Sequence, residues 1–161
     1  MSHATTKSPS ERTSVSDLES HLGFWLRYVS NNVSSRFKGL VENAGVSISE
    51  WVALRQLFRT GESSASDLID TLGMTKGAVS KIVTRLQEKG LVERAMLETD
   101  LRAQQVVLTA SGRALVPKLA RLADENDAFF FAHLSAQQRD ELMTVMKDIV
   151  RQQHFKLIPV E

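Results

Sequence analysis

Apolar residues recur every three or four positions near the beginning of the chain. Between residues 17 and 43 these positions are Leu18, Leu22, Trp25, Val29, Val33, Phe37 and Leu40. Such spacing predicts one long amphipathic helix, about 40 Å long at ~1.5 Å per residue. Ser16 and Glu19 are placed to form a capping box at its start, in which each side chain satisfies a free backbone donor.

The same helical spacing returns at the end of the chain. Thr109 precedes a predicted helix that begins at Ala110, and Ser135 with Gln138 forms a capping box before the last helix. Pro117 lies beyond the first turn of the earlier of these two helices, where a proline should kink it.

Between the long helices the chain is divided into shorter elements. Gly45 ends the first helix, and three short helices follow, from Ser47 to Phe58, from Ser64 to Gly73 and from Thr75 to Gly90. Two β-rich runs come next, LVERAML and QQVVLT, with the polar segment ETDLRA between them. This arrangement predicts a hairpin with a polar tip.

The short helix that begins at Thr75 has two chemically different faces. At about 100° per residue, one apolar stripe is formed by Val79, Ile82, Val83 and Leu86. The outward side is small, hydroxylated or cationic, and consists of Gly77, Ser80, Lys81, Thr84 and Arg85. Small residues let a backbone approach base edges, and the hydroxyl and cationic groups supply donors for bases and phosphates. An ordinary surface helix is the alternative interpretation.

Charge is concentrated on this part of the chain. The whole sequence carries a formal net charge of only +1, but residues 74–94 hold five cations against Glu88 and Glu93, a local net charge of +3. A short basic window on a neutral body is what a localised phosphate contact requires. A solvated helix face has the same composition, so that alternative stays open.

The tip of the predicted hairpin adds a further cation. Arg102 lies at this tip. If the tip reaches a DNA minor groove, the negative potential of the groove favours an inserted arginine. Asp100 is placed to pair with this guanidinium and hold it extended. A salt-bridged turn without any DNA contact is the alternative.

Together these elements predict a mainly α fold with a small β-hairpin wing, an α+β arrangement. A winged helix-turn-helix covers residues 48–108, and helices over residues 17–44 and 110–154 flank it within a domain of residues 16–161. Residues 1–15 consist of Ser, Thr, Lys and Pro with almost no apolar side chain, so a disordered tail is predicted there.

Several classes of protein are disfavoured by composition. The absence of cysteine excludes disulfides and thiolate metal sites, and the four histidines show no close helical pair. Neither a phosphate-cradling glycine loop nor a nucleophile elbow is present, so no enzyme and no cofactor are expected. Without a secretory signal or an apolar run of ~20 residues, we expect a cytoplasmic protein with no membrane partner.

The chain resembles the MarR family of winged helix-turn-helix transcriptional regulators. The segments that carry the resemblance are SEWVALRQL, SASDLIDTLGMTKGAVSKIVTRLQEKGLVER and DLRAQQVVLTASG, and it extends over roughly residues 18–152. The resemblance implies a homodimer held by the first and last helices, with one helix in the major groove and one wing in the minor groove for each protomer. By matching position it implies a wing arginine, Arg102, with Asp100 as its partner, and DNA contacts by Thr75, Lys76, Gly77, Ser80, Lys81 and Arg85.

The residues themselves also favour a dimer. The long first helix and the segments AFFFAHL and ELMTVMKDIV present more apolar surface than a small winged domain can cover. Phe129, Phe130 and Phe131 cannot all face one side of a helix, so one is expected to meet a partner chain; completion of the monomer's own core is the alternative. A two-fold dimer requires a near-palindromic operator with half-sites ~34–36 Å apart.

Many members of the family bind small aromatic acids in a pocket between the dimer helices and the winged domain. By position, the residues implied to line such a pocket here are His21, Trp25, Tyr28, Trp51 and Arg55. An arginine among aromatic rings suits a carboxylate ligand. Ordinary core packing of these aromatic residues is the alternative.

We therefore expect a homodimeric, sequence-specific regulator that binds double-stranded DNA, acts as a repressor and is released by a small aromatic or acidic ligand. An activator is one alternative. Another is a winged-helix protein-interaction module that does not bind DNA, which the cationic outward face of the Thr75 helix disfavours.

Overall fold

The structure is a computed structural model that describes residues 15–97 and 100–155, without the side chains of residues 96–104. The predicted disordered tail over residues 1–15 therefore lies outside the described residues, apart from its last position. The chain divides into two compact units, Met1–Asn32 and Val33–Glu161.

The helices and strands follow the predicted order, with one strand added. Within the described residues the helices are α1 (Leu22–Asn43), α2 (Ile48–Thr60), α3 (Ala65–Leu72), α4 (Lys76–Glu88), α5 (Ala110–Phe131) and α6 (Ala136–Gln152). The strands are β1 (Glu62–Ser64), β2 (Val92–Leu97) and β3 (Asp100–Leu108). The predicted mainly α fold with a small β wing is confirmed. In the described part of the chain, no helix combines the length and the apolar character needed to cross a bilayer.

The first helix begins later than predicted. A 3₁₀ turn over Leu18–Ser20 is followed by His21 in an extended conformation, and α1 starts only at Leu22. The predicted capping box of Ser16 and Glu19 is wrong: Ser16 Oγ instead lies 3.3 Å from His21 Nε2. Polar side chains near a helix start offer the backbone alternatives to helical hydrogen bonds, and here they interrupt the helix.

The other helix starts were predicted correctly. Ser47 with Glu50, Ser64 with Asp67, and Ser135 with Gln138 each form a reciprocal capping box. Thr75 and Thr109 cap α4 and α5 by accepting hydrogen bonds from Ala78 N and Gly112 N. A cap depends only on residues within one turn, so it can be identified from the local sequence.

The predicted hairpin belongs to a three-stranded antiparallel sheet in the order β1-β3-β2. β2 pairs with β3 from Val92 opposite Leu108 onwards, and β1 pairs with the other edge of β3, where Glu62 lies opposite Val107. β1 was not predicted, because a strand of three residues is too short to show an alternating pattern.

The core lies among α2, α3, α4 and α5. Its fully buried large side chains include Leu54 and Leu57 of α2, Leu68 and Leu72 of α3, Leu86 of α4, and Leu119 of α5. Burial of each such side chain contributes about 1.5–3 kcal/mol. α5 continues unbroken past Pro117; the kink predicted there stays a prediction.

One buried polar residue ties α5 to the part of α1 that lies in the second unit. Asn126 is only 4% exposed. Its Nδ2 donates to the carbonyl of Val33 at 3.2 Å, and its Oδ1 accepts from Arg36 Nη1 at 3.1 Å. The guanidinium of Arg36 also lies 4.3 Å from the ring centroid of Phe129. A buried amide with both ends paired avoids the cost of an unsatisfied polar group.

The first turn of α5 is packed against the segment that joins α4 to β2. The hydroxyl of Thr109 donates to the carbonyl of Gly90 at 2.7 Å, and Thr109 N donates to the carbonyl of Leu91 at 3.1 Å. A Cβ atom placed on Gly112 would lie 2.0 Å from the Leu91 oxygen and 3.2 Å from Leu108 Cδ2. Gly112 is therefore required by this close approach of two backbone segments.

The substitution Gly112→Ala is expected to destabilise the protein by about 1–3 kcal/mol, because the backbone oxygen of Leu91 must move to accept the methyl group. The free energy of unfolding measured in urea would show this loss. Gly77→Ala is the matched control: a Cβ on Gly77 meets nothing within 4 Å, so the higher helix propensity of alanine should raise stability by about 0.5–1 kcal/mol. Equal effects of the two substitutions would contradict the packing argument.

Candidate nucleic-acid interface

α4 follows α3 after a tight turn. Gly73 ends α3 in the left-handed conformation, with φ 62°, and Thr75 then caps α4 through a 3.3 Å hydrogen bond from Ala78 N to its hydroxyl oxygen. Only Met74 separates Gly73, the C-cap of α3, from Thr75, the N-cap of α4. This is the geometry of a helix-turn-helix, in which the first helix supports the second.

The two faces of α4 are separated as the sequence predicted. Its apolar stripe is buried, with Val79 1% and Leu86 0% exposed. The residues predicted to contact DNA lie together on the solvent side, all of them exposed: Thr75, Lys76, Gly77, Ser80, Lys81, Thr84 and Arg85. The structure therefore places these seven residues together on one exposed face, while their contact with DNA stays a prediction.

Gly77 lies on this exposed surface, and nothing in the described part of the chain requires a glycine there. Its backbone is helical, and a Cβ there would meet no atom within 4 Å. Glycine within a helix costs about 0.5–1 kcal/mol relative to alanine. The missing side chain leaves the backbone of α4 open to close approach from outside the chain.

Lys89 does not add to the exposed charge beside α4, although it is one of the five cations of the basic window. Its Nζ lies 2.7 Å from Oε2 of Glu50, which is buried. Opposite charges at this distance neutralise each other, so the local net charge that faces solvent is smaller than the sequence indicated. The cations that remain on the exposed face of α4 are Lys76, Lys81 and Arg85.

The support helix α3 begins with a fixed negative charge. Hydrogen bonds from the Ser64 hydroxyl and from the Ser64 backbone N–H hold the pKa of the Asp67 carboxyl below its ordinary value of 3.8. A carboxylate whose pKa is lowered by folding stabilises the fold above its unfolded pKa, and this contribution is lost as the pH falls through the folded pKa. At neutral pH, Asp67 is ionised at the positive end of the α3 dipole.

The wing is present as a hairpin, and Asp100 belongs to β3 by its backbone pairing with Leu97. The side chains of Asp100 and Arg102 lie outside the described residues. Their predicted ion pair and the predicted reach of Arg102 into a minor groove therefore stay predictions.

A second feature is an open cavity of about 840 Å³ beside α2 and α5. Trp51 and Arg55, two of the predicted pocket residues, are part of its lining, and the Arg55 guanidinium lies 5.6 Å from the Trp51 ring centroid. His21, Trp25 and Tyr28 are exposed and belong to the unit Met1–Asn32; their place at this pocket stays a prediction. Other lining residues were not predicted from the sequence, among them Arg59, Thr71 and Asp124.

The helix at the carboxyl end, α6, has no buried residue. At about 100° per residue, its apolar side chains fall within one face about 160° wide. This apolar face of α6 consists of Leu142, Met143, Val145, Met146, Ile149 and Val150, all of them exposed. Phe129 of α5 is also 66% exposed.

A turn of this kind between α3 and α4, followed by an antiparallel hairpin, defines a winged helix-turn-helix. The model of the MarR family matches residues 44–103, which span α2 to α4 and most of the wing. Over this segment the chain is similar to the MarR family of transcriptional regulators.

Similar proteins extend the comparison over most of the chain. The HTH-type transcriptional repressor Rv2887 of Mycobacterium tuberculosis is 26% identical over 128 residues, which are 80% of this chain and 92% of the relative. The HTH-type transcriptional repressor IacR of Pseudomonas putida is 28% identical over 125 residues, 77% of this chain and 74% of the relative.

Solved structures share the fold. A probable transcriptional regulator from Pseudomonas aeruginosa superposes with a TM-score of 0.66 at 27% identity, covering 83% of this chain and 99% of that one. A mutant of MarR from E. coli in complex with operator DNA superposes with a TM-score of 0.70 at 22% identity, covering 84% and 99%.

Proposed function

We propose that the protein is a transcriptional repressor that binds double-stranded DNA sequence-specifically through α4. The observation that carries the proposal is the exposed face of α4, where cations, hydroxyl groups and Gly77 lie opposite a fully buried stripe. A helix about 10–12 Å across fits the major groove, and Ser, Thr, Lys and Arg are suited to donate to bases and phosphates. The repressors similar to this chain support repression over activation.

A protein-interaction module without DNA binding is the competing function. Protein interfaces are typically depleted in lysine and enriched in aromatic residues at their centre. The exposed face of α4 has the opposite composition in both respects, since it holds Lys76 and Lys81 and no aromatic side chain. The structure of MarR with operator DNA supports the same choice.

We propose that the repressor acts as a homodimer in which the apolar face of α6 is covered by a second copy. A wide apolar stripe on a helix usually faces a core or a partner, and α6 buries none of its residues within one chain. Apolar side chains of α1, such as Leu22, Leu26 and Val29, are exposed as well. Two copies related by a two-fold axis would place two α4 helices on half-sites ~34–36 Å apart.

We also propose that the cavity beside α2 and α5 binds a small aromatic acid that releases the protein from DNA. Its lining provides an apolar contact at Trp51, which is 5% exposed, and two cations, Arg55 and Arg59, for a carboxylate. Asp124 lines the same cavity and offers an acceptor for a ring hydroxyl or N–H. In a structural relative, BpsR of Bordetella bronchiseptica, DNA binding is regulated by 6-hydroxynicotinic acid.

DNA binding is tested by Lys81→Glu, which replaces a cation on the exposed face of α4 by an anion. We expect weaker binding to a duplex selected by the wild-type protein from a random pool, and a salt dependence flatter by about 0.9 in the slope of log K against log[salt]. Fluorescence anisotropy at several KCl concentrations measures both quantities. Lys118→Glu, on the exposed surface of α5, is the control for net charge. If the wild-type protein selects no duplex, the proposed function is wrong.

The dimer is tested by placing two carboxylates on the apolar face of α6. Val145 and Ile149 are 55% and 46% exposed, so the double substitution Val145→Asp/Ile149→Asp should leave the monomer folded. We expect sedimentation to show a monomer and operator affinity to fall by at least about tenfold, because one half-site is lost. Thr144→Asp, on the opposite side of α6 and exposed, is the matched control and should stay dimeric. A dimeric double variant would contradict the proposed interface.

The effector site is tested with 6-hydroxynicotinic acid and benzoate as probes. Calorimetry should detect saturable binding of at least one of them, and Arg55→Met should weaken it by about tenfold or more through the loss of a charged hydrogen bond. Arg121→Met, on a residue of α5 that does not line the cavity, should bind as the wild-type protein does. Unchanged affinity in Arg55→Met would place the ligand elsewhere.

A further inference from the structure

Lys89, the residue that follows α4, is held at a point where three segments meet. Its Nζ donates to Oε2 of Glu50 at 2.7 Å and to the carbonyl of Gly45 at 2.8 Å. Gly45 lies between α1 and α2 and has a φ of 91°, and Glu50 lies in the first turn of α2. One ammonium group therefore connects the end of α4 to the junction of α1 and α2.

The acceptor of this contact is itself tightly positioned. The same Oε2 of Glu50 accepts from the backbone N–H of Ser47 at 2.7 Å, and Glu50 N donates to the Ser47 hydroxyl at 3.2 Å. Glu50 is 2% exposed. A buried carboxylate is tolerated only when it is paired and hydrogen-bonded. Because its partner comes from 39 positions further along the chain, the pair links separate elements rather than stabilising a single helix.

A phosphate contact does not explain this placement of Lys89. Two acceptors of the protein already surround the ammonium, and the carboxylate cancels its charge. The side chain is 39% exposed, but a DNA phosphate approaching it would also approach the Glu50 carboxylate. The ammonium is instead held by the Glu50 carboxylate and the Gly45 carbonyl, which is not the role that its position in the basic window indicated.

The contact lies at the carboxyl end of α4, so a change of tilt there displaces the amino end of the helix. α4 has 13 residues, so it is about 20 Å long, and a tilt of about 10° at its carboxyl end would move its amino end by ~3 Å. Direct contacts to base edges tolerate errors of only about 0.5 Å or 10–20°. Thr75, Lys76 and Gly77 lie at the end that would move.

We infer that Lys89 is a positioning residue for DNA recognition: by pairing with Glu50 and the Gly45 carbonyl it sets the angle at which α4 enters the groove. The inference rests on the proposed DNA-binding function. Lys89 acts through the orientation of α4 and contributes no phosphate contact of its own.

The test compares Lys89→Met with Lys81→Met on the duplex selected by the wild-type protein and on a random duplex, each over a range of KCl concentrations. For Lys89→Met we expect affinity for the selected duplex to fall about tenfold, the equivalent of one base contact. Affinity for the random duplex and both salt slopes should stay as in the wild-type protein. For Lys81→Met both affinities should fall and the slope should decrease by about 0.9.

Two further variants separate orientation from simple loss of stability. Glu50→Gln keeps a residue that can complete the capping box, so the double variant Lys89→Met/Glu50→Gln removes the pair without leaving a buried charge. It should fold, as measured by circular dichroism, and should show the same loss of selectivity as Lys89→Met. Lys89→Arg, which keeps the cation, should recover most of the selectivity. Stoichiometric titration of each variant corrects the affinities for the fraction of active protein.

Three results would overturn the inference and leave the proposed function standing. A decrease of about 0.9 in the salt slope of Lys89→Met would make it a phosphate contact. Unchanged selectivity in the folded double variant would make the pair purely structural. Equal loss of affinity for the selected and the random duplex would remove orientation as the cause. Failure of the wild-type protein to bind any duplex is a separate outcome, which overturns the proposed function and with it the inference.

Discussion

The burial of one face of α4 is the constraint on which the rest of the structure depends. Val79, Ile82, Val83 and Leu86 are each less than 5% exposed, and their burial against α2 and α3 fixes the rotation of the helix about its own axis. Because a helix has only one opposite side, the same packing decides which residues face solvent. The cationic and hydroxyl face is therefore a consequence of the core, and a rotation of α4 would expose apolar side chains to water.

Rotation about the axis is only one of the degrees of freedom of α4; its tilt is set at the two ends. At the amino end the Thr75 cap follows a tight turn from α3. At the carboxyl end the segment Gly90–Leu91 is held by Thr109 and by the close approach of Gly112, and Lys89 is held by Glu50. These contacts bring α2, α4 and α5 together at one place. The cavity that we propose for an effector is lined by two of the same three helices, α2 and α5, so a ligand there would act on elements that also hold α4.

The predictions from the sequence are correct where one turn of chain or one helical face carries the information. The caps at Ser47, Ser64, Thr75, Thr109 and Ser135 each depend on residues within a few positions of one another, and the apolar stripe of α4 depends on a period of 3.6 residues. The capping box predicted for Ser16 and Glu19 is wrong. The two residue types have the right spacing, but the Ser16 hydroxyl lies beside the His21 ring instead. The three residues of β1 carry no recognisable pattern, because their strand exists only through pairing with β3.

The sequence by itself determined the order of the elements, the starts of five helices and the residue types on both faces of α4, since these follow from local hydrogen bonding and from periodic burial. Only the tertiary structure decided which charges stay available. Lys89 and Lys81 are indistinguishable as residues of one basic window, yet the charge of Lys89 is paired with Glu50, 39 positions away, whereas Lys81 lies on the exposed face of α4. The need for Gly112 arises in the same way, and so does the pairing of Asn126 with Arg36, 90 positions apart. In each case segments that are distant in the sequence come into contact, and no periodic pattern along the chain predicts the contact.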